Sequence, residues 1–248
     1  MTATPHAAAA ASPLARFVER VDHIALGAHP SRVDRLPDGR TTIILRDLGG
    51  GRGDVVVAGP RTRALYKTPA GFHWAMSLRL KPGWAASVLG VAASDVADRM
   101  VRVEELWGRA GADLRDRLLT CRGPAAAAGV LAEALTRRAE ASFEPASARL
   151  ARRAVRLIEA GEPRVQRVAD QLGVSARHLR RAFSDCVGVG PRDFARATRL
   201  QRALRLAANA PSWGEVAAAA GYYDQAHLNG EFRDLLGLTP SAFAARRE

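Results

Sequence analysis

A sequence motif in the C-terminal half of the chain is repeated after about fifty residues. The first copy, "VADQLGVSARHLRRAF", covers residues 168–183, and the second, "VAAAAGYYDQAHLNGEF", covers residues 216–232. Each copy has Val-Ala, a glycine five residues after the valine, a leucine and a phenylalanine four residues apart, and then Gly-x-x-Pro. A repeat with this period indicates that the region folds as two copies of one small supersecondary unit.

In each copy a glycine interrupts an otherwise helical pattern. Gly173 and Gly221 can adopt the left-handed conformation that ends a helix and reverses the chain. A capping residue, Ser175 or Asp224, then starts the next helix. The leucine and phenylalanine of this second helix, at positions i and i+4, can pack back onto the first helix. The pattern therefore predicts two helix-turn-helix units whose second helices keep a free outer face. The units span about residues 164–186 and 212–236.

The second helix of the first unit carries three arginines on the face opposite its apolar residues. They are Arg177, Arg180 and Arg181. Arginine can bind guanine O6 and N7 in a bidentate manner, or it can contact phosphates. A single arginine is more often an ordinary surface residue, but three together on such a helix favour contact with DNA. We include the capping residue Ser175 in this predicted DNA-binding surface.

The second unit presents a different set of side chains. Its outward positions include Gln225, His227 and Asn229. Glutamine and asparagine can bind adenine, but the nearby acidic residues Glu231 and Asp234 give little electrostatic support. We therefore expect this unit to contact DNA more weakly than the first.

A helix of about residues 191–209 is predicted to connect the two units. Apolar residues at helical spacing form one stripe along it, and arginines form a basic flank, of which we assign Arg192, Arg196 and Arg199 to the DNA-binding surface. Such a helix fixes the separation of the two units. Two units on one face of B-DNA enter successive major-groove segments roughly 34 Å apart.

The positive charge of the chain is concentrated in the same region. The sequence has 37 Lys and Arg residues against 25 Asp and Glu residues, a net charge of +12. Residues 148–205 contain 14 arginines and 5 acidic residues, whereas residues 206–248 contain 3 arginines and 5 acidic residues. An arginine-rich proteome would spread the excess evenly. The distribution therefore favours a polyanionic partner, namely nucleic acid.

The N-terminal part of the chain has a different pattern. Segments rich in β-branched or aromatic residues predict strands, and turn clusters separate them. The predicted strands are residues 41–47, 54–59 and 72–80. Helical patterns begin at Ser94 and Glu104 and extend to about Cys121. This predicts an α+β domain of residues 16–121, for effector binding or dimerisation, after a disordered leader of residues 1–15.

From residue 122 onwards the sequence predicts helices alone. Residues 122–146 are predicted as a helical linker, and residues 147–248 as an all-α domain of seven helices with two helix-turn-helix units. The seven helices are placed at roughly residues 147–160, 164–172, 176–186, 191–209, 212–220, 224–236 and 240–247.

Residues of about 147–248 resemble the DNA-binding domain of the AraC/XylS family of transcriptional regulators. The stretches that carry the resemblance are "LGVSARHLRRAF", "GVGP" and "AGYYDQAHLNGEFRDLLGLTP", together with Arg199 in "RLQRAL". The resemblance implies a seven-helix domain that binds specific promoter sequences. It also implies base-reading positions at Arg177, Arg180 and Arg181 in the first unit and at Gln225, Ala226, Asn229 and Gly230 in the second. The chain departs from the family at Gly230, where an arginine is usual.

The N-terminal region more loosely resembles the non-DNA domain of one AraC subgroup, through "LPDGRTTIIL", "VVVAGPRT" and "SLRLKPGWAASVLGVAASDVADRMVRVEELWG". In the wider family such a domain binds a small molecule or forms dimers, commonly on a cupin-like β framework. The resemblance therefore implies double-stranded promoter DNA and RNA polymerase as partners, with a small-molecule effector and a homodimer as further options. We expect no cofactor.

Other functions remain open at this point. An enzyme would need a site in the N-terminal domain, but the six histidines show no metal-ligand spacing and "GGGRGD" lacks the lysine of a phosphate loop. We therefore expect no enzyme and no metal. A non-specific DNA-coating protein would not need two recognition helices. A ligand pocket lined by Phe72, Trp74 and Trp84 is a further alternative to a core position for these residues.

The sequence also bears on the cellular location. The two cysteines lie far apart, as expected of reduced packing residues. The first residues lack the basic region of a signal peptide, and no apolar run approaches the ~18 residues of a membrane span. We therefore expect a cytoplasmic protein without a membrane partner.

Overall fold

The computed structural model describes residues 13–24, 33–67, 71–141, 146–208 and 212–246. Most of the predicted leader lies outside the described residues. Its last residues form a short 3-10 helix, Pro13–Arg16, in which Leu14 is buried in the core. Within the described ranges the chain forms seven strands followed by a helical C-terminal part, as the sequence predicts for the fold class.

A five-stranded antiparallel sheet forms the centre of the N-terminal part, with the strand order β1-β6-β3-β4-β7. The predicted strands are confirmed as β3, β4 and β6, whereas the sequence did not resolve the other strands. The strands are β1 (Val18–Ile24), β2 (Val33–Arg35), β3 (Thr42–Gly49), β4 (Arg52–Ala58), β5 (Leu65–Lys67), β6 (Trp74–Leu80) and β7 (Met100–Arg102). Strand β7 interrupts the region predicted as helical because it pairs with β4, a contact that local periodicity does not encode.

The two faces of the sheet differ, as the period of two along a strand requires. Ile43 and Leu45 of β3 and Leu78 of β6 belong to the core on one face. Helices cover this face, and their apolar residues, such as Val88 and Leu131, complete the core. The helices are α1 (Ala85–Leu89), α2 (Val103–Trp107), α3 (Arg109–Leu119) and α4 (Pro124–Ala141).

Strands β2 and β5 pair with each other as a separate two-stranded ribbon. The ribbon faces the other side of the sheet, and together they enclose a cavity. A cupin-like framework places two large sheets face to face. In the parts of the chain that the structure describes, the second layer consists of this ribbon.

In the described residues from 146 onwards, the chain forms seven helices that lie close to the predicted positions. They are α5 (Ala146–Glu159), α6 (Val165–Leu172), α7 (Ala176–Val187), α8 (Pro191–Leu206), α9 (Trp213–Ala220), α10 (Gln225–Leu236) and α11 (Pro240–Ala245). Pro191 and Pro240 occupy first-turn positions of α8 and α11, where the missing N–H costs no helical hydrogen bond. The predicted seven helices are thus confirmed in the described residues.

Helix α8 belongs to both halves of the C-terminal part. Phe194 near its start packs edge-to-face against Phe183, with 5.4 Å between ring centroids, in the core of the first helix-turn-helix unit. Leu200 and Ala203 near its end are buried in the core of the second unit. The 16 residues of this helix span about 24 Å and hold the two units in a fixed arrangement.

The N-terminal and C-terminal parts are in direct contact. The turn after β2 contacts both α8 and α5: Gln201 Nε2 of α8 donates to the carbonyl oxygen of Pro37 at 2.8 Å, and Arg40 lies 3.1 Å from Glu159 at the end of α5. Gly39, which has a positive φ of 65°, packs so closely on Phe194 that a side chain at this position would collide with the ring. The Asp38-Gly39 turn therefore also serves as a contact surface.

Candidate nucleic-acid interface

Both predicted helix-turn-helix turns are formed as the sequence indicates. Gly173 ends α6 with φ 67° and ψ 33°, and Gly221 ends α9 with φ 86° and ψ 30°. Both values lie in the left-handed region that a glycine adopts without steric cost. The chain therefore reverses at the same point of each unit.

The following helices begin at the predicted capping residues. Ser175 Oγ accepts a hydrogen bond of 3.2 Å from the backbone N–H of His178, and Asp224 Oδ1 accepts one of 2.7 Å from that of His227. Each bond satisfies one of the free N–H groups of a first helical turn. The side chain of Ser175 is therefore engaged in the cap, which defines where α7 starts.

The inner faces of α7 and α10 bury the predicted apolar pairs. Leu179 and Phe183 of α7 and Leu228 and Phe232 of α10 are all fully buried. Trp213 of α9 packs edge-to-face on Phe232 with ring centroids 5.4 Å apart. This packing orients each second helix, so the opposite face points away from the protein.

The outer face of α7 is strongly basic and open. Arg177, Arg180 and Arg181 are all exposed, together with His178. The only acidic side chain near Arg181 within the described residues is Asp185, at 4.0 Å, and the Arg181 side chain remains 86% accessible. An exposed salt bridge of this length contributes little free energy, so the three guanidinium groups are available to a polyanion.

The outer face of α10 is polar but not basic. Gln225 and His227 are exposed and Asn229 is partly exposed. The structure adds Tyr223, which lies in the turn before α10 and is 93% exposed. Sequence reasoning missed it, although two consecutive tyrosines after the turn glycine were a visible signal. An exposed tyrosine beside a recognition helix can donate to a phosphate.

Helix α8 holds the remaining predicted residues, and these divide into two kinds. Arg192, in its first turn, is exposed. Arg196 and Arg199 instead turn towards α10: Arg196 Nε lies 3.0 Å from Glu231 Oε1, and Arg199 Nη2 lies 2.5 Å from the same oxygen. Arg196 also binds Asp234 at 3.0 Å. These two arginines join α8 to the second recognition helix.

Glu231 is the centre of this contact, and its side chain is only 7% exposed. The guanidinium of Arg199 lies 4.8 Å from the ring centroid of Tyr222. Burial, together with the negative charge of Glu231, raises the pKa of the Tyr222 hydroxyl above its usual range, so this group stays neutral. The cluster of Arg196, Arg199, Tyr222 and Glu231 is hereafter called the α8–α10 cluster.

Successive side chains of the β2–β5 ribbon point to opposite sides. One side of the ribbon therefore faces the cavity, and the other side faces the C-terminal part. Val33, Arg35, Leu65 and Lys67 line the cavity. The residues between them point to the other side. Tyr66 donates from its hydroxyl to the carbonyl oxygen of Leu236 at 2.8 Å, and Asp34 lies 3.8 Å from Arg246.

The three aromatic residues considered as pocket residues have separate positions. Phe72 lines the cavity, whereas Trp74 is buried in the core on the other face of the sheet. Trp84 packs on that core and lies under the guanidinium of Arg152, 4.1 Å from the ring centroid. The sequence alone does not show on which face of the sheet an aromatic residue at a strand end will lie, because this depends on the strand register.

The described residues contain neither a cluster of metal-ligating side chains nor a helix suited to cross a membrane. Within the described ranges, no three His, Cys, Asp or Glu side chains are grouped closely enough to hold a metal ion. His23 lies in β1, while His29 lies outside the described residues. None of the described helices combines the length and apolar character that a bilayer crossing requires.

Comparison with known proteins identifies the C-terminal part. Residues 168–246 match the family described as "Helix-turn-helix domain". These residues therefore carry a helix-turn-helix domain of the AraC type.

Two curated relatives each match part of the chain. The HTH-type transcriptional regulator GlxA of Rhizobium meliloti (strain 1021) is 40% identical over 75 residues, which are 30% of this chain and 23% of GlxA. The probable bifunctional transcriptional activator/DNA repair enzyme AlkA of Mycobacterium tuberculosis (strain CDC 1551 / Oshkosh) is 40% identical over 99 residues, which are 38% of this chain and 20% of AlkA. The chain thus spans about a fifth of the length of these curated relatives.

Among solved structures, the chain is similar to ToxT of Vibrio cholerae O395, with a TM-score of 0.44 and 8% identity over 90% of this chain and 95% of ToxT. A second ToxT crystal form from V. cholerae gives a TM-score of 0.43 and 9% identity, over 90% of this chain and 96% of ToxT.

Proposed function

We propose that the protein is a sequence-specific DNA-binding transcriptional regulator. The observation that carries this proposal is the pair of helix-turn-helix units, each with a buried inner face and an exposed recognition helix. Two such helices joined rigidly by α8 suit two successive segments of a major groove. A protein that only coats DNA needs phosphate contacts and no recognition helix.

The two units have different roles in this proposal. Arg177, Arg180 and Arg181 of α7 supply the main base and phosphate contacts, and Arg192 contacts the backbone nearby. Gln225, His227 and Asn229 of α10 make weaker and more selective contacts. Arg196 and Arg199 support α10 through the α8–α10 cluster rather than contacting bases, since carboxylates already hold their guanidinium groups.

The N-terminal domain makes the regulator responsive to a small molecule. This part of the proposal is supported by the ribbon, which has one face on the cavity and the other face on the C-terminal part. A molecule that enters the cavity touches Leu65, whose neighbour Tyr66 holds the end of α10. Occupancy of the cavity can therefore change the position of the second recognition helix.

The partners and location follow from the same role. The regulator acts on double-stranded promoter DNA in the cytoplasm and catalyses no reaction. RNA polymerase is its second partner, and regulation works through a change in DNA affinity or in polymerase contact. A homodimer through the N-terminal domain would double the number of recognition helices on one operator.

The experiment that tests the proposal is a selection of genomic fragments by the purified full-length chain, at near-physiological salt with excess competitor DNA. We expect a shared motif with two blocks about one helical turn apart. At the selected site, Arg180→Ala and Arg181→Ala should each lower binding by roughly 1–3 kcal/mol, with a much smaller loss on random DNA.

A matched control uses two exposed arginines outside the C-terminal part, Arg52 and Arg122. The double variant Arg52→Ala/Arg122→Ala removes the same charge as Arg180→Ala/Arg181→Ala. If both double variants lose affinity equally on specific and random DNA, binding depends on charge alone. That result would contradict the regulator and support a DNA-coating protein.

A further inference from the structure

The cavity between the sheet and the ribbon has mostly apolar walls. Its volume is about 240 Å³, which lies below the range of roughly 300–1,000 Å³ that is usual for drug-sized ligands. The walls include Val33, Ile44, Leu65, Phe72, Ala75 and Met100. Apolar walls favour an apolar molecule because its entry removes both surfaces from water. The volume restricts that molecule to a small one.

Charged side chains also line the cavity, and most of them already have partners. Arg46 forms two hydrogen bonds with the carboxylate of Asp54. Asp22 is bound to Arg20 at 2.8 Å. These pairs are locally neutral. The cations that remain on the lining, Arg35 and Lys67, lie on the ribbon and have no carboxylate within hydrogen-bond distance in the parts of the chain that the structure describes.

Arg35 is the more informative of the two. Its Nη2 donates to the carbonyl oxygens of Gly59 and Ala58, at 3.1 and 3.4 Å. Its Nη1 is buried and has no hydrogen-bond partner among the described residues. Asp38, whose charge acts on Arg35, is itself bound to Arg79 at 3.3 Å. Burial lowers the pKa of the Arg35 guanidinium, although the residue as a whole is half-buried.

A buried charged donor without a partner is costly, and a ligand that accepts its hydrogen bond removes that cost. We propose that the cavity binds a small apolar molecule with one anionic group, and that Nη1 of Arg35 donates to this group. Carboxylates and phosphates share the required chemistry. The inference rests on the proposed function, because it gives the chemical class of the molecule to which the regulator responds.

The site also explains how binding reaches the C-terminal part. Arg35 lies next to Asp34, which faces Arg246 after α11. An anion on Arg35 tightens one strand of the ribbon, and the apolar body of the ligand presses on Leu65 of the other strand. Through both strands, ligand binding therefore affects the contacts of the ribbon with the end of α10 and with α11.

The test is a direct binding measurement by calorimetry on the full-length chain without DNA. The probes are octanoate, octyl phosphate and octan-1-ol, which share one apolar body, and 4-tert-butylbenzoate, which offers a ring instead. We expect at least one anion to bind about tenfold or more tightly than octan-1-ol, since a charge-assisted hydrogen bond distinguishes them. Comparison of octanoate with octyl phosphate identifies which anionic group fits.

Two variants locate the binding. Arg35→Met keeps the length of the side chain and removes its donors, so it should abolish the preference for the anion over the alcohol. Ala75→Leu keeps Arg35 and fills the cavity, so it should weaken every probe. Arg52→Met removes an exposed arginine outside the cavity and should change nothing. Circular dichroism and the melting temperature verify that each variant is folded.

The proposal is overturned if none of the probes binds at millimolar concentration, if the alcohol binds as tightly as the anions, or if Ala75→Leu leaves binding unchanged. None of these outcomes affects the DNA-binding proposal, which the fragment selection tests separately. Anion binding by a chain that selects no operator would leave the site in place and contradict the regulator instead.

Discussion

The hydroxyl of Tyr66 donates a hydrogen bond of 2.8 Å to the carbonyl oxygen of Leu236, the last residue of the second recognition helix. The neighbouring backbone reinforces this contact, because the N–H of Ala64 donates to the carbonyl oxygen of Leu235 at 2.7 Å. The guanidinium of Arg246 lies 4.2 Å from the ring centroid of Tyr66. Strand β5 of the ribbon therefore caps the C-terminal end of α10.

The first prediction concerns this contact. Tyr66→Phe removes one hydrogen bond, which is worth about 1 kcal/mol, and leaves the ring in place. We expect the amide of Ala64 to exchange its hydrogen about fivefold faster, since the ribbon separates from α10 more often. Hydrogen exchange followed by mass spectrometry or NMR measures this. Tyr223→Phe alters an exposed tyrosine and is the control; an unchanged Ala64 rate in Tyr66→Phe would show that the hydroxyl does not hold the contact.

The helix-turn-helix units were predictable because their signals are local. A glycine that ends a helix, a serine or aspartate that caps the next one and a proline in a first turn each act within a few residues. Gly173, Ser175 and Pro191 are therefore found where the sequence places them. The β-branched residues of the segment 41–47, among them Ile43 and Ile44, likewise predict β3 from a short window.

The features that the sequence left open depend on distant partners. Arg199 and Glu231 are 32 residues apart, and periodicity alone assigns Arg199 to a basic surface rather than to an ion pair. The cavity needs the pairing of β2 with β5, and its arginine, Arg35, stands in a segment without a strong pattern. Non-local pairings of this kind are set by the whole fold and not by a short motif.

A second prediction concerns Gly230 in the middle of α10. A Cβ at this position would meet no atom within 4 Å, and glycine within a helix costs up to about 1 kcal/mol relative to alanine. Gly230→Ala should therefore raise the free energy of unfolding by about 0.5–1 kcal/mol. Gly221→Ala is the matched control, and it should lower stability because Gly221 has φ 86°. Urea unfolding measures both, and a destabilised Gly230→Ala would show that the position needs glycine.

The same position offers a third prediction, on DNA binding. Gly230→Arg adds one cation beside Asn229 on the outer face of α10, where the described residues have few free positive charges. We expect tighter binding to the selected operator and a salt dependence steeper by about one released counterion. Gly230→Gln adds length without charge and should leave the salt slope unchanged. Equal slopes for Gly230→Arg and the parent chain would place this face away from the DNA backbone.

The last prediction separates arginines that support the fold from arginines that bind DNA. Glu231→Gln keeps the shape of the side chain but removes the negative charge that binds Arg196 and Arg199, so two cations lose their shared partner. Because these arginines retain side-chain exposures of 26% and 24%, water compensates in part, and we expect a loss of about 1–3 kcal/mol in unfolding free energy. Asp234→Asn removes an exposed partner of Arg196 and should cost less than about 1 kcal/mol.

Binding to the operator provides the second measurement for this prediction. Arg199→Ala should lower the melting temperature clearly and change DNA affinity little once the protein is folded, whereas Arg180→Ala should lower DNA affinity and leave the melting temperature almost unchanged, since its side chain is exposed. The contrast follows from the contacts, because the guanidinium of Arg199 binds the buried carboxylate of Glu231, whereas that of Arg180 faces solvent. The reverse pattern, with Arg199→Ala stable and unable to bind the operator, would mean that the α8–α10 cluster opens on DNA and that Arg199 contacts it directly.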